Sequence, residues 1–310
     1  MKTQSLSFIA SLLFIFAFSS VQSQNINFTV NNLQDGLKSA STVTIDPNQL
    51  KTDSITQHNN YINYINTALT VKDTLPGYKY TRLNLKSIGS GYRDAGRVTT
   101  SPLRWTGNDW LKVLAIGGGA LALHQLDIPL HDVVNRNNTS FVKGFSNALE
   151  PLGNGIYIIP SILGIYGIGA FTHNEDLSGF AITAGKAFLI TNTLVLYAKV
   201  LAHRHRPNDD NPTQYNQWDG PRLDLKNGSF FSSHTATAFA LATVISANYG
   251  DHKWVSPIAY TMASLIGVSR ITGNDHWASD VFIGAIVGYS VGKLVDKLNR
   301  SKKIKLVVGL

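Results

Sequence analysis

The chain has 310 residues, a formal net charge of +8, a pI near 9.5, and 44% hydrophobic against 15% charged residues. This composition supplies a sizeable core and favours anionic partners such as phosphate esters, anionic lipid surfaces or nucleic acid. Nucleic acid is the weakest of the three, because the chain has no dense Lys/Arg run with interleaved aromatics. The lack of cysteine excludes disulfides and thiolate metal sites.

The amino terminus has the parts of a secretory signal peptide. Lys2 gives a short positive region, residues 6–18 are mostly apolar, and Val21 and Ser23 are small residues where a signal peptidase cuts. The apolar stretch is too short for a comfortable transmembrane span. We expect a signal peptide over 1–23 and an exported mature protein.

Residues 24–104 differ from the rest of the chain. They are rich in Asn, Thr, Asp and Ser and show no sustained apolar period. We expect a poorly structured N-terminal extension, with a short helix over 61–69 and an extended segment over 78–85. The extension carries no recognisable motif.

From about residue 105 the chain contains apolar segments separated by polar loops. Each segment is long enough for a helix of several turns, and few of them alternate as strands do. The pattern predicts an all-α fold, a six-helix bundle over 105–300, followed by a tail over 301–310 that frays or forms a short strand. The six segments are 107–126, 153–172, 178–204, 233–249, 254–270 and 277–298.

Several of these segments approach the length of a membrane span, above all 155–172. Others carry Lys112, Lys186 or Lys199, and all are rich in small residues, which suit close helix packing in water or in lipid. Three spanning helices after an exported amino terminus would place the loop after Lys199 in the cytoplasm. We therefore expect a periplasmic or extracytoplasmic bundle in contact with a membrane.

A first candidate site lies at the end of the third apolar segment. Lys199 and Arg206 are seven positions apart, so a helix would return both side chains to one face. Pro207 marks the end of the segment, because a proline disfavours helix in the residue before it. Arginine offers a planar fork for phosphate oxygens and lysine a point charge. Alone, such a pair is more often a solvated helix end.

A second candidate lies where the fourth apolar segment begins. Ser232 and Ser233 are both good N-cap residues. A helix that starts here directs free backbone N–H groups and a positive dipole end at whatever lies in front, which makes an anion site. His234 stands at its mouth, although a histidine near a capped helix start is most often structural.

A third candidate lies between the last two apolar segments. Asp280 follows His276 by four residues, so the two side chains are neighbours on a helix. A carboxylate on one ring nitrogen fixes the tautomer and leaves the other lone pair outward, as a nucleophilic histidine requires. Arg270 precedes a loop with Gly273 that can bend it back to the same point. The alternative is a capped helix with an ordinary His–Asp pair.

Taken in order, the three candidates resemble the signature of the type 2 phosphatidic acid phosphatase and vanadium haloperoxidase superfamily, which is K-x6-R-P, then P-S-G-H, then S-R-x5-H-x3-D. The second pattern matches only at Ser232 and His234, since Phe231 replaces its proline and Ser233 its glycine. The resemblance covers about 105–298. The first and third patterns match in full, at Lys199, Arg206, Pro207, Ser269, Arg270, His276 and Asp280.

The resemblance implies a role for each matched residue. His276 would attack phosphorus and form a phosphohistidine, Asp280 would support its ring, and His234 would protonate the leaving oxygen and then activate water. His203 and His205 could suggest a metal, but their position predicts a flanking role. We expect no metal and no cofactor, because basic side chains take the place of a cation. The phosphate oxygens would be held by Lys199, Arg206, Arg270, the Ser232 hydroxyl and the Ser233 amide.

These observations predict a metal-independent phosphatase for phosphomonoesters or diphosphates, with lipid phosphates of the phosphatidic acid or polyprenyl diphosphate type preferred as substrates. Two alternatives stay open. One is a haloperoxidase that binds vanadate at His276 as its cofactor. In a phosphatase, vanadate bound at the same site would act as an inhibitor. The other is an inactive anion- or lipid-binding module, against which the presence of both histidines argues. Ser233 keeps the N–H of the family glycine but restricts the backbone, so we expect an altered rate or specificity.

Overall fold

The computed structural model describes residues 73–208, 216–223 and 228–305. The chain divides into two compact units, one of residues up to Gly77 together with 301–310, and one of Tyr78–Arg300. The expected signal peptide and the short helix over 61–69 lie outside the described residues. In the described part of the chain, strand β1 (Asp73–Tyr78) pairs with strand β2 (Arg300–Lys305).

The unit Tyr78–Arg300 is almost entirely helical, as predicted, but its described residues form eight α-helices, not six. Each of the six expected segments overlaps one of them, and the helices α1 and α3 were not expected. A short 3-10 turn, Ser101–Arg104, precedes α2. The helices are α1 (Leu85–Thr99), α2 (Gly107–Arg136), α3 (Ser140–Gly153), α4 (Gly155–Phe171), α5 (Glu175–Ala202), α6 (Ser233–Tyr249), α7 (Val255–Thr272) and α8 (Ala278–Asn299).

Helix α1 lies in the range assigned to a poorly structured extension, and its buried face is largely polar. That face carries Ser90 and Asp94. Lys186 of α5 donates hydrogen bonds to Ser90 Oγ (2.5 Å), Asp94 Oδ2 (3.1 Å) and Asn299 Oδ1 (2.5 Å). The large apolar residues of α1 do recur at helical spacing, but they lie on its exposed side, and three glycines lower the helix propensity of the segment.

Helices α6 and α8 approach each other closely along a row of glycines. Gly284, Gly288 and Gly292 recur every four residues, and so lie on one face of α8. A Cβ atom at Gly288 would lie 2.1 Å from the backbone oxygen of Ala236, and one at Gly284 would lie 2.9 Å from that of Ser232. Only glycine allows this contact, which fixes the start of α6 against the start of α8.

The antiparallel order of the last four helices brings four helix ends together. Helix α5 ends, α6 begins, α7 ends and α8 begins at the same end of the bundle, and the three candidate segments lie at these four ends. Behind them, a hydrophobic core joins α5, α6 and α8. Its fully or nearly fully buried members include Ala187, Ile190, Val244, Val291 and Val295.

Among the described residues, three helices, α2, α5 and α8, are long and apolar enough to cross a membrane. The pair α3–α4, bent by 47°, makes a fourth candidate when taken as one span. The break in this pair lies at Asn154, whose side chain caps α4 by accepting from the Ile156 N–H (3.0 Å). Large apolar side chains on α2 face outward, Leu114 and Leu121 among them. Such an apolar surface characterises a membrane-associated protein.

Candidate active site

The first candidate segment does not form the helix that its spacing predicts. Helix α5 ends at Ala202, and His203 caps it in the left-handed region with φ 39°. Arg206 therefore lies beyond the helix, and the prediction that it shares a helix face with Lys199 is wrong. The chain instead turns at His203 and forms a bridge between Arg204 and Trp218. Lys199 and Arg206 still lie close enough to repel each other electrostatically.

Both cations of this segment are placed to receive an anion. Lys199 Nζ donates to the backbone oxygen of Gly228 (2.9 Å), which keeps its side chain at the start of the 228–232 loop. Arg206 is partly buried, and its Nε atom has no hydrogen-bond partner among the described residues. A buried guanidinium donor without a partner is costly, so a ligand that accepts from it would be stabilised.

The second candidate segment folds as predicted. Ser232 is the N-cap of α6, and its Oγ accepts from the backbone N–H (3.4 Å) and the hydroxyl (2.9 Å) of Thr235. Ser233 is therefore the first helical residue, and the N–H groups of Ser233 and His234 belong to the turn that has no intrahelical acceptors. The Ser232 N–H donates to the backbone oxygen of Asp280 (3.2 Å), which joins this helix start to the third segment.

His234 is held in a tight, largely dehydrated position. A Cβ atom at Gly153 would lie 2.9 Å from both Cβ and Cδ2 of His234, so the end of α3 packs directly on the ring. The Nε2 atom is buried without a hydrogen-bond partner among the described residues, and Glu150 Oε1 lies 3.8 Å from it. Burial lowers the pKa of His234 to about 4, and the charge of Arg270 acts in the same direction.

The third segment places His276 directly before α8. The backbone N–H groups of Asp275 and His276 both donate to the carbonyl of Arg270 (3.0 and 3.2 Å), which closes the loop between α7 and α8. The left-handed residue in this loop is Asn274, with φ 59°, and not the glycine expected to provide the bend. The guanidinium of Arg270 bonds Asp275 Oδ2 (3.2 Å) and the carbonyl of Ser146 (3.3 Å).

His276 and Asp280 are neighbours as predicted, but a serine lies between them. Asp280 Oδ2 is 3.9 Å from His276 Nδ1, too far for a hydrogen bond. Ser229 Oγ lies 3.3 Å from that nitrogen and donates to Asp280 Oδ2 (2.5 Å). Ser229 lies shortly before the second candidate, but no motif in the sequence singles it out. When Nδ1 of His276 carries the proton and donates to Ser229 Oγ, and Ser229 donates to Asp280, the lone pair on Nε2 of His276 is free.

The environment of His276 keeps its ring neutral. Burial lowers the pKa of His276 well below its usual range, and the charges of Lys199 and Arg206 act in the same direction. A hydrogen bond with the Ser229 backbone acts in the opposite direction. A neutral imidazole with a free lone pair is the form in which histidine is a nucleophile.

Arg204 is a second site residue that no motif in the sequence singles out. Its side chain is fully buried, and it bridges Asp280 Oδ1 (2.5 Å) and Asp127 Oδ2 (2.6 Å). Asp127, on α2, also accepts from the N–H (3.0 Å) and hydroxyl (2.5 Å) of Ser279. Both oxygens of Asp280 are thus occupied, which holds the carboxylate still beside Ser229. Removal of one partner from a buried ion pair costs about 3–5 kcal/mol.

All eight sequence-predicted site residues come together at this end of the bundle. His276 interacts electrostatically with Lys199, Arg206 and His234, and His234 does so with Arg270. Three cations and two imidazoles therefore lie near one another, at the end of the bundle where α6 begins. An arrangement of this kind binds a tetrahedral oxyanion and stabilises negative charge that develops on it.

Comparison with known proteins agrees with the motifs. Residues 180–302 match the profile of the PAP2 superfamily, and this stretch contains all eight site residues. This match confirms the resemblance stated from the three motifs.

A segment of 67 residues is 55% identical to a protein from Porphyromonas gingivalis described as "Lipid A 1-phosphatase". The match covers 21% of this chain and 15% of that relative, so the chain spans only a small part of the relative's length.

Two solved structures are similar. The LpxE structure from Aquifex aeolicus has 26% sequence identity and a TM-score of 0.44, covering 56% of this chain and 95% of that one. The second is "the first transmembrane PAP2 type phosphatidylglycerolphosphate phosphatase from Bacillus subtilis", with 20% identity and a TM-score of 0.44. Its match covers 59% of this chain and 94% of that one.

Proposed function

We propose that this protein is a lipid phosphate phosphatase that works through a phosphohistidine at His276. The observation that carries the proposal is the pairing of a neutral, buried His276 with three cations around the same position. A nucleophile supported through Ser229 and Asp280 on one nitrogen would present the other to phosphorus.

In the first step, Nε2 of His276 forms a bond to phosphorus while the bond to the leaving oxygen breaks. His234 gives that oxygen a proton, so the departing group leaves as a neutral hydroxyl. In the second step His234 takes a proton from water, water oxygen bonds to phosphorus, and the N–P bond breaks to release phosphate.

His234 must be protonated to act as the acid in the first step, although in the empty site its pKa is near 4. A bound phosphate anion opposes the charges of Arg270, Lys199 and Arg206, which lower that pKa. Binding of substrate therefore raises the pKa of His234 and loads the ring with the proton that it donates. The acid is active only when its substrate is in place.

The cations replace a metal ion in this scheme. Lys199, Arg206 and Arg270, with the first N–H groups of α6, neutralise the non-bridging oxygens and stabilise the charge of the transition state. Ser233 provides one of those N–H groups, as the family glycine would. Turnover in excess chelator is the expected result.

A lipid phosphate is the substrate class that the surface of the molecule favours. The exposed apolar sides of α2 and α4 suit a membrane, and the site lies at one end of the helices that would cross it. The identity to a lipid A 1-phosphatase segment supports a phosphorylated lipid of that kind. We propose that the helices span the membrane and that the site faces the periplasm. The start of α2 then lies on the cytoplasmic side, so this arrangement replaces the cleaved signal peptide expected from the sequence.

The test is release of phosphate by the purified protein from three substrates: lipid A, phosphatidic acid and a soluble phosphomonoester. We expect turnover of at least one lipid, loss of about 10³-fold or more in His276→Ala and about 10²–10⁴-fold in His234→Ala. Turnover of the soluble ester alone would contradict the lipid assignment. Bromide oxidation by peroxide in the vanadate-loaded protein would favour a haloperoxidase, and phosphate binding without turnover would favour a binding module.

A further inference from the structure

The chain around Arg204 forms a second polar cluster that the phosphatase chemistry does not use. Arg204 and Trp218 form an isolated antiparallel bridge, in which the Asp219 N–H donates to the His203 carbonyl (3.2 Å) and the His205 N–H donates to the carbonyl of residue 217 (2.9 Å). Side chains alternate along such a pairing. Arg204 therefore points to Asp280 and Asp127, while its neighbours His203 and His205 fall on the other face with Asp219.

These three side chains offer a set of metal-ligand atoms at the right separation. His203, His205 and Asp219 each contribute one ligand atom, and the three atoms all lie within 4.8 Å of one another. The Nε2 atom of His205 is 2.8 Å from Asp219 Oδ2, and the two imidazole rings meet edge to face with centroids 5.8 Å apart. Two imidazoles and one carboxylate form a donor set of zinc-type ions, with water completing a tetrahedron.

A second observation points to a ligand at this cluster. His203 is 2% exposed, and its Nδ1 atom is buried with no hydrogen-bond partner in the described part of the chain. A buried imidazole nitrogen without a partner costs free energy, which a coordinated ion would recover.

We propose that His203, His205 and Asp219 bind one divalent transition-metal ion of the zinc class. The ion ties the chain at 216–222 to the segment that carries Arg206 and so stabilises the wall of the phosphate site. None of the three ligands belongs to the phosphate-binding set, so the ion is structural. The sequence pattern predicted only a flanking role for the two histidines.

Arg222 forms an ion pair with the Asp219 carboxylate and would compete with a metal ion for it. Its Nη1 atom lies 3.0 Å from Asp219 Oδ2, and its side chain is 57% exposed. An exposed guanidinium can turn into solvent when a divalent ion takes the carboxylate. This competition gives the proposal a test in which no ligand is removed.

The test uses the full-length protein without a histidine tag, in detergent and stripped with chelator. Zn²⁺ binding is measured by titration calorimetry, and Co²⁺ binding by its visible absorption. We expect one ion per chain with the spectrum of a tetrahedral site, binding weakened at least ~10-fold in His203→Ala and Asp219→Asn, and binding tightened by roughly threefold in Arg222→Ala. His252→Ala, which changes an exposed histidine outside the cluster, is the matched control.

The proposal would be overturned if the protein bound no stoichiometric metal ion, or if His203→Ala, Asp219→Asn and His252→Ala bound the ion equally well. An unchanged affinity in Arg222→Ala would also overturn it. The inference does not rest on the phosphatase assignment. Removal of the ion should lower the unfolding temperature of the protein while phosphate release stays within about threefold of that of the loaded form.

Discussion

At the residue scale, Ser229 is the contact through which Asp280 supports His276. The hydroxyl is within reach of both groups, while the histidine and the carboxylate are 3.9 Å apart. We expect Ser229→Ala to lower kcat by about 10–100-fold, because a hydrogen bond to a charged group contributes roughly 1.5–3 kcal/mol. KM should change little. Ser264→Ala, at an exposed serine that bonds only its own helix, is the control. A kcat unchanged by Ser229→Ala would contradict this role.

Glu150 favours the protonated form of His234. Its carboxylate lies 3.8 Å from Nε2 and raises the pKa of the ring, against burial and the surrounding cations, which lower it. Glu150→Gln removes that charge, so the pKa of His234 falls further. Since the protonated ring is the acid, the alkaline limb of the pH profile of kcat should move to lower pH, by roughly half a unit to one unit.

The pH profile of kcat for a lipid substrate checks this prediction. Asp251→Asn, which removes an exposed carboxylate outside the site, should leave both limbs in place. A shift of the Glu150→Gln profile to higher pH would contradict the assignment of His234 as the acid.

The site residues that the sequence could reveal are those with chemically unusual spacing. His276 and Asp280 are four residues apart at a helix start, and Ser232 is an N-cap residue. Local helix geometry is enough to predict each of these features. Arg204 and Ser229 differ, since each acts through a contact 51 or more positions away. No local rule predicts such a pairing, and the fold alone supplies it.

At the element scale, the glycine row on α8 sets the distance between α6 and α8 and with it the position of Ser232 against Asp280. We expect Gly288→Ala to destabilise the protein by about 1–3 kcal/mol, since its Cβ would collide with the backbone of α6. Thermal unfolding in detergent measures this. Gly164→Ala, in α4 with open space around its Cβ, is the control and should be neutral or stabilising.

If Gly288→Ala unfolded at the temperature of the unchanged protein, the close contact of α6 and α8 would not exist.

The helices also differ in how well the sequence predicts them. The six apolar segments predicted the helices that carry the site, because a long apolar run has few other structures to adopt. Helix α1 was missed because three of its fifteen residues are glycines, which disfavour a helix, although its apolar residues recur at helical spacing. The end of α5 was misplaced, because His203 adopts a left-handed conformation that spacing does not reveal.

At the scale of the whole molecule, the orientation of the site across the membrane can be measured because the chain contains no cysteine. The loop after α2 lies at the site end, where Asn274 bonds Asn135 (2.6 Å), and the turn between α4 and α5 lies at the opposite end. We expect a membrane-impermeant maleimide to label Asn137→Cys in intact cells, and Thr172→Cys only after the cells are opened. The reverse pattern would place the site in the cytoplasm.

The central claim is a covalent bond between His276 and phosphorus, and rapid quenching of the enzyme during turnover of a substrate labelled in its phosphate tests it most directly. The account predicts label on the protein that survives alkali, is lost in acid and maps to His276. It also predicts that His276→Ala never acquires the label. A turning-over enzyme that carries no label, or label on any other residue, would contradict the account.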